Sequence, residues 1–189
     1  WAQKEKLEAR NIDTASIDLG KLKDNISVIR SMTVKRPEVF CRDLRSLLSD
    51  CGIALVFLPH IGGSFLYGAT FYDKNKIVIG LTLRGKDADK FWFSLFHEIG
   101  HILLGHLNQD EGTTEEDEEA ADKFARDTLI VEKDFRTFTQ AGHFTKQSII
   151  DFAKRIDISP GIVVGRLQKE GYIKFDRCND LKEKYELTV

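Results

Sequence analysis

Phe93-Ser94-Leu95-Phe96-His97-Glu98-Ile99-Gly100-His101-Ile102-Leu103-Leu104-Gly105-His106 decides how this chain is read. Two imidazoles stand four residues apart with a carboxylate between them, inside an apolar run from Phe91 to Leu107. On a helix, residues four apart lie one above the other, so His97 and His101 can reach one metal ion. A catalytic zinc takes three protein ligands and keeps a position for water, whose pKa drops to about 7 there. Glu98 lies too far round the helix to be an easy third ligand and is placed instead as general base. An ordinary buried helix would have to bury two imidazoles and a carboxylate without compensation.

Outward from this segment, Asp87 or Asp89 can cap a helix that runs to about Leu107, with Gly105 near its end. Phe91, Trp92, Phe93, Leu95, Phe96, Ile99, Ile102, Leu103 and Leu104 make that helix apolar on most faces, which predicts a course through the middle of the domain. Gly100 inside it costs on the order of 1 kcal/mol against alanine, and a close-packed neighbour is the expected compensation.

Upstream, Ile53 to Leu58 is a continuous apolar run bounded by Gly52 and Pro59, the pattern of a buried strand. Phe65 to Tyr72 and Lys76 to Leu83 are β-rich around Asp73-Lys74-Asn75, which predicts a hairpin. Ile77 to Leu81 is open to two readings: a sheet edge that pairs with an extended substrate, or a plain core strand. Residues 1 to about 50 read as helical, through Leu7, Leu19, Leu22, Ile26 and Ile29, then Leu44, Leu47 and Leu48 after Pro37.

Downstream, the polar segment Asn108 to Asp117 reads as a surface loop. Ala121, Phe124, Ala125, Thr128 and Leu129 then repeat with helical period, an amphipathic helix facing the core. Thr145 caps a helix through Phe152, and Ser159-Pro160 opens another that stops before Gly171.

A third metal ligand is sought among Glu115, Glu116, Glu118 and Glu119. Glu118 lies three residues before Ala121 and seven before Ala125, on the buried stripe, whereas Glu119 turns about 100° away. Glu115 shares the stripe one turn earlier, ahead of the expected helix start. Asp122, four residues after Glu118, can accept the second ring N–H of a ligating histidine. His106 falls five residues after His101, about 140° off the metal face, and reads as a surface or core residue. His60, His143, Tyr67 and Tyr72 remain as side chains that could polarise a substrate carbonyl.

Composition sets the bounds. The 189 residues fit one domain with a real core, and 42% hydrophobic with 31% charged residues describe a soluble globular chain. A net charge of −2 recruits neither nucleic acid nor an anionic membrane by overall balance. Three cysteines, without a Cys-x-x-Cys pair, suggest a reducing compartment, and the cytoplasm is the default location. The apolar stretches are too short or interrupted to span a bilayer. The absence of an initiator Met before Trp1 suggests a fragment of something longer.

FSLFHEIGHILLGH, followed by Glu118-Glu119-Ala120-Ala121-Asp122-Lys123-Phe124-Ala125, resembles the ImmA/IrrE family of metallopeptidases. Gly68-Ala69-Thr70, Leu83-Arg84 and the segment from Ser159 to Leu167 extend the likeness to the C-terminal half of HigA-type antitoxins and related XRE regulators, over roughly residues 50 to 175. The resemblance implies an α+β, zincin-like fold: a small three-stranded sheet packed on the active-site helix, with further helices. It implies a helical segment over 1–50, the metallopeptidase domain over 51–175 and a C-terminal tail over 176–189. It also implies zinc held by His97, His101 and Glu118, Glu98 as general base, and Asp122 supporting the ligands. The implied partners are a protein substrate or toxin, a homodimer mate, and DNA only through a helix-turn-helix domain ahead of Trp1. The expected activity is hydrolysis of a protein partner; a sensor domain with little turnover that regulates the attached DNA-binding domain is the alternative.

Overall fold

The computed structural model describes residues 9, 11–58, 68–82, 87–108 and 112–185. Among them it is an α+β structure of eight helices and one three-stranded mixed sheet. In chain order the helices are α1 (Leu19–Asp24), α2 (Ile26–Ser31), α3 (Pro37–Ser49), α4 (Ala88–Leu103), α5 (Glu115–Leu129), α6 (Glu132–Gln140), α7 (Lys146–Arg155) and α8 (Pro160–Lys169). The strands are β1 (Ile53–Leu58), β2 (Gly68–Asp73) and β3 (Lys76–Thr82).

The strand order is β1-β3-β2, with β1 parallel and β2 antiparallel to β3. The Asp73–Lys76 hairpin forms as expected, with Lys74 at a φ of 58° in its turn. Ile77 to Leu81 is therefore the central strand and not a substrate-holding edge: neighbours on both sides take up its backbone groups. The edge beside the expected site is β2.

Period-2 alternation splits the buried strand residues between two layers. Ile53, Leu55, Ile77, Ile79 and Leu81 face the main core, where they meet Phe91, Leu95, Phe96 and Ile99 of α4. Ala54, Val56 and Val78 face away, against Ala9, Ile12 and Phe71. Burial on both faces explains why β1 reads as an unbroken apolar run. α4 crosses the middle of the molecule, between the sheet, α5 and α8. It ends where Gly105, at a φ of 80°, turns the chain.

The acidic stretch read as a loop is helical from Glu115 onward. Thr114 caps α5 by accepting from the Asp117 N–H, and Asp117 accepts from the Thr114 N–H in return. Asp at this position does the work usually given to Glu or Gln, and four acidic residues in the first turn suit the positive end of the helix. No sequence period marks α6, because its two buried residues, Phe135 and Phe138, span too few turns to show one. Thr145 and Pro160 open α7 and α8 as anticipated.

Both ends of the described chain join the core. Leu22, Ile29, Met32, Phe40, Leu44 and Leu48 are buried in it. Arg30 donates to the carbonyls of Thr128 and Leu129 at the end of α5 and of Ile156 and Asp157 after α7, using one guanidinium to satisfy the open ends of two helices. Near the C-terminus, Lys182 Nζ lies 2.8 Å from Asp89, and Tyr185 packs on Phe40, Phe91 and Trp92. The Trp92 indole N–H donates to the Tyr185 hydroxyl at 2.9 Å.

Candidate metal centre

His97 and His101 project from consecutive turns of α4, and Glu118 reaches them from the first turn of α5. The two helices pack closely because Gly100 has no side chain: a Cβ there would lie 3.2 Å from Phe124 Cδ1 and 3.3 Å from Ala121 Cα. Ala121 and Phe124 sit three and six residues beyond Glu118, so this contact brings the glutamate within reach.

His97 Nε2 and His101 Nε2 are 3.0 Å apart. Glu118 Oε2 is 3.2 Å from the first and Oε1 is 3.5 Å from the second. All three donors lie within 4.8 Å of one another, a set that could hold a metal ion. Each separation is near the edge of a tetrahedral shell whose ligands stand about 2.1 Å from the ion, roughly 3.4 Å. The ring nitrogens facing away have partners of their own: His97 Nδ1 meets Asp122 Oδ1 at 2.8 Å, and His101 Nδ1 meets His106 Nδ1 at 2.9 Å. With its proton held toward Asp122, His97 directs a bare lone pair at the shared point. Two imidazole nitrogens and a carboxylate converging on one spot are a donor set that fits a cation.

Glu98 stays out of that set. It is 6% exposed and turned to β2, where the Thr70 hydroxyl donates to Oε2 at 2.5 Å. Gly68 leaves the room: a Cβ there would stand 2.6 Å from Glu98 Oε1. Burial raises the Glu98 pKa, and the Thr70 bond only partly offsets this. Burial also works against the charged form of His97, but the Asp122 bond and the nearby Glu98, Asp122 and Glu118 charges outweigh it, and its pKa is raised. His101 shifts down, through burial first and then the neighbouring His97. Asp122 is held below the usual carboxylate range, chiefly by its bond to His97.

These side chains line a cleft of about 440 Å³ together with Gly68, Ala69, Thr70, Phe93, Leu107 and Thr113. The Thr113 hydroxyl donates to Glu118 Oε1 at 2.6 Å. All five residues singled out from the sequence, His97, Glu98, His101, Glu118 and Asp122, meet at this cleft. Of the candidates for carbonyl polarisation, His60 and Tyr67 lie outside the described residues, as do Leu83 and Arg84. Tyr72, at the hairpin end of β2, and His143, bonded to the Ala141 carbonyl, are not among the cleft's lining residues. Thr70, Thr113, His106 and Asp117 carry contacts that no sequence signal assigned. His106 could have been found only by knowing that α4 stops at Leu103, since the 140° offset assumes a continuing helix.

An α+β domain with two histidines and a glutamate converging beside a separate buried glutamate is a metallopeptidase-like domain. A peptidase family model described as the IrrE N-terminal-like domain matches residues 63–168, more than half of the chain, and the chain belongs to that family. No curated protein matches the sequence.

Proposed function

We propose that this domain is a zinc-dependent endopeptidase acting on a protein partner, with His97, His101 and Glu118 as ligands and Glu98 as general base. The observation that carries the reading is the division of labour around the cleft: two imidazoles and one carboxylate converge, and a separate carboxylate, Glu98, buried and hydrogen-bonded, stands aside from them. A structural zinc site closes with four ligands and has no use for a buried base next to it. Bound zinc would supply Lewis acidity and an activated water at neutral pH. Glu98 Oε1 takes a proton from water while Oε2 remains on Thr70. Its raised proton affinity suits it to hold that proton and release it to the departing amine. Asp122 keeps the His97 ring in register, and Thr113 does the same for Glu118. The β2 edge at Gly68–Thr70 lies along the cleft and offers backbone groups to an extended peptide.

Glu98→Gln keeps the side chain's shape and removes its basicity. Zinc content should stay at the wild-type level while cleavage of a peptide library falls by at least about 10²-fold, in line with loss of a positioned base. Undiminished cleavage by that variant would sink the peptidase reading.

A second reading, a sensor domain with little turnover, draws support from Arg30. Through it the N-terminal helices hold the C-terminal end of α5, the helix whose first turn bears Glu118. Metal or partner binding at the cleft would then be felt by whatever adjoins the N-terminal helices. The resemblance to antitoxins and XRE regulators suggests a DNA-binding helix-turn-helix domain there, in a cytoplasmic, dimeric regulator with a toxin or protein substrate as partner. Zinc-dependent change in operator binding without peptide cleavage would favour this second reading.

A further inference from the structure

His97 and His101 differ in what holds the ring nitrogen that faces away from the metal donors. For His97 it is a carboxylate; for His101 it is a second imidazole, His106, at 2.9 Å. The other nitrogen of that ring, His106 Nε2, stands 3.3 Å from Asp117 Oδ1, with both side chains largely buried. Asp117 Oδ2 in turn accepts from the Thr114 N–H at 2.9 Å and from its hydroxyl at 2.7 Å.

We propose that His106 and Asp117 are positioning residues for the metal centre, a relay that sets the tautomer of His101 and ties it to the first turn of α5. The proposal rests on the reading of His97, His101 and Glu118 as metal ligands.

Two neutral imidazoles meeting Nδ1 to Nδ1 share one proton, so one ring donates and the other accepts. Were His106 the donor there, its Nε2 would turn a lone pair toward the Asp117 carboxylate, and His101 would carry its proton on Nε2, among the metal donors. With the roles reversed, His106 Nε2–H points at Asp117, His101 Nδ1–H points at His106, and His101 Nε2 is left bare. The carboxylate selects the second arrangement, the one competent to hold a metal. Asp117 is itself held in place by Thr114, in the reciprocal cap that starts α5, and the next residue is Glu118. One short segment therefore presents a ligand directly and orients another through His106.

The test is zinc affinity of the full chain by competition with a chromophoric chelator, with the visible spectrum of the cobalt-loaded protein as a second readout. His106→Phe, which keeps a ring but no nitrogen, should bind zinc about 10–100-fold more weakly, the usual effect of losing such a partner, with an altered cobalt spectrum. His106→Asn, whose Oδ1 falls near the former Nδ1, should recover most of that loss. Asp117→Asn, isosteric and able to keep one bond to Thr114, should weaken binding as well, and combining it with His106→Phe should add nothing further. Affinity within twofold of wild type for both His106→Phe and Asp117→Asn, or strictly multiplicative losses in the double variant, would overturn the relay. If His106→Phe fails to fold, as judged by circular dichroism of the metal-free protein, Asp117→Asn and His106→Asn decide alone: Asp117→Asn at wild-type affinity overturns the relay, and Asp117→Asn weaker than His106→Asn supports it. A wild-type chain that binds no zinc would instead bring down the metal reading, and the relay with it; His101→Ala, expected to abolish binding, separates that failure from failure of the relay alone.

Discussion

Glu98 sits next to His97 in the chain but serves a different surface of α4. His97 turns toward α5 and Asp122, whereas Glu98 turns toward β2, where Gly68 and Thr70 make its cradle. The fit at Gly68 is close enough to be tested. A methyl group at this position would meet Glu98 Oε1 at 2.6 Å and Cγ at 2.9 Å, so the carboxylate must move. With Glu98 as the proposed general base, Gly68→Ala should leave zinc affinity within about twofold and reduce kcat by roughly 10²-fold, the scale of effect that a 1 Å misplacement of a reacting group produces. Steady-state kinetics beside a zinc titration would check it; an unchanged kcat would show that the proposed role of Glu98 needs no cradle.

At the scale of elements, the contact between α4 and α5 sets the separations among His97, His101 and Glu118. Alanine at position 100 would gain up to about 1 kcal/mol in helix propensity. Against this, its Cβ would press on the Ala121 backbone at 3.3 Å, which has no side-chain freedom to yield, and overpacking of this kind costs about 1–3 kcal/mol. Gly100→Ala should therefore be destabilised by about 1 kcal/mol in urea unfolding and should bind zinc more weakly, because α5 carries Glu118 away as it retreats. Equal stability and affinity would mean that the helices accommodate a methyl group freely. Helical period put Glu118, Ala121 and Asp122 on one side of α5; Ala121 is buried there, while Glu118 and Asp122 stay about half exposed at the cleft. The same rule kept His106 out of the donor set, where the structure also leaves it, but could not show that its ring meets His101, because Gly105 ends the helix and resets the angle before the next side chain.

Two properties belong to the whole molecule. Any ligand that binds only the folded chain adds to stability, by about 2.7 kcal/mol at a concentration 100 times its Kd. Saturating zinc should thus raise the Tm by roughly 5–10 °C for a chain of this size. A chelator should reverse the shift, and His101→Ala should not show it; an unresponsive wild-type Tm would count against a site formed only on folding. The second property is alkaline instability. Burial raises the Tyr185 pKa above its ordinary value near 10. Between the unfolded and folded pKa values the native state holds the extra proton, so stability declines as pH rises above about 10, with a slope approaching 1.4 kcal/mol per pH unit from this group. Tyr185→Phe should lose some stability at pH 7, where the Trp92 N–H loses its acceptor, and should show a shallower alkaline decline. Parallel declines in the two proteins would remove Tyr185 as the cause.

The residues by themselves determined the zinc-type motif, the face of α5 that bears Glu118 and Asp122, the two-sided burial of β1 and the hairpin that follows. Each of these depends on spacing along one element, and helix and strand periods are local properties of the chain. Tertiary structure alone decided that β3 is central and β2 the edge, that Thr70 and Gly68 hold Glu98, and that His106 and Asp117 stand behind His101. Strand order is set by which apolar faces can be buried together, and the Thr70–Glu98 hydrogen bond spans 28 residues of chain. Those contacts come from the docking of separate elements and from chain reversals at glycines, which no period along a single element encodes.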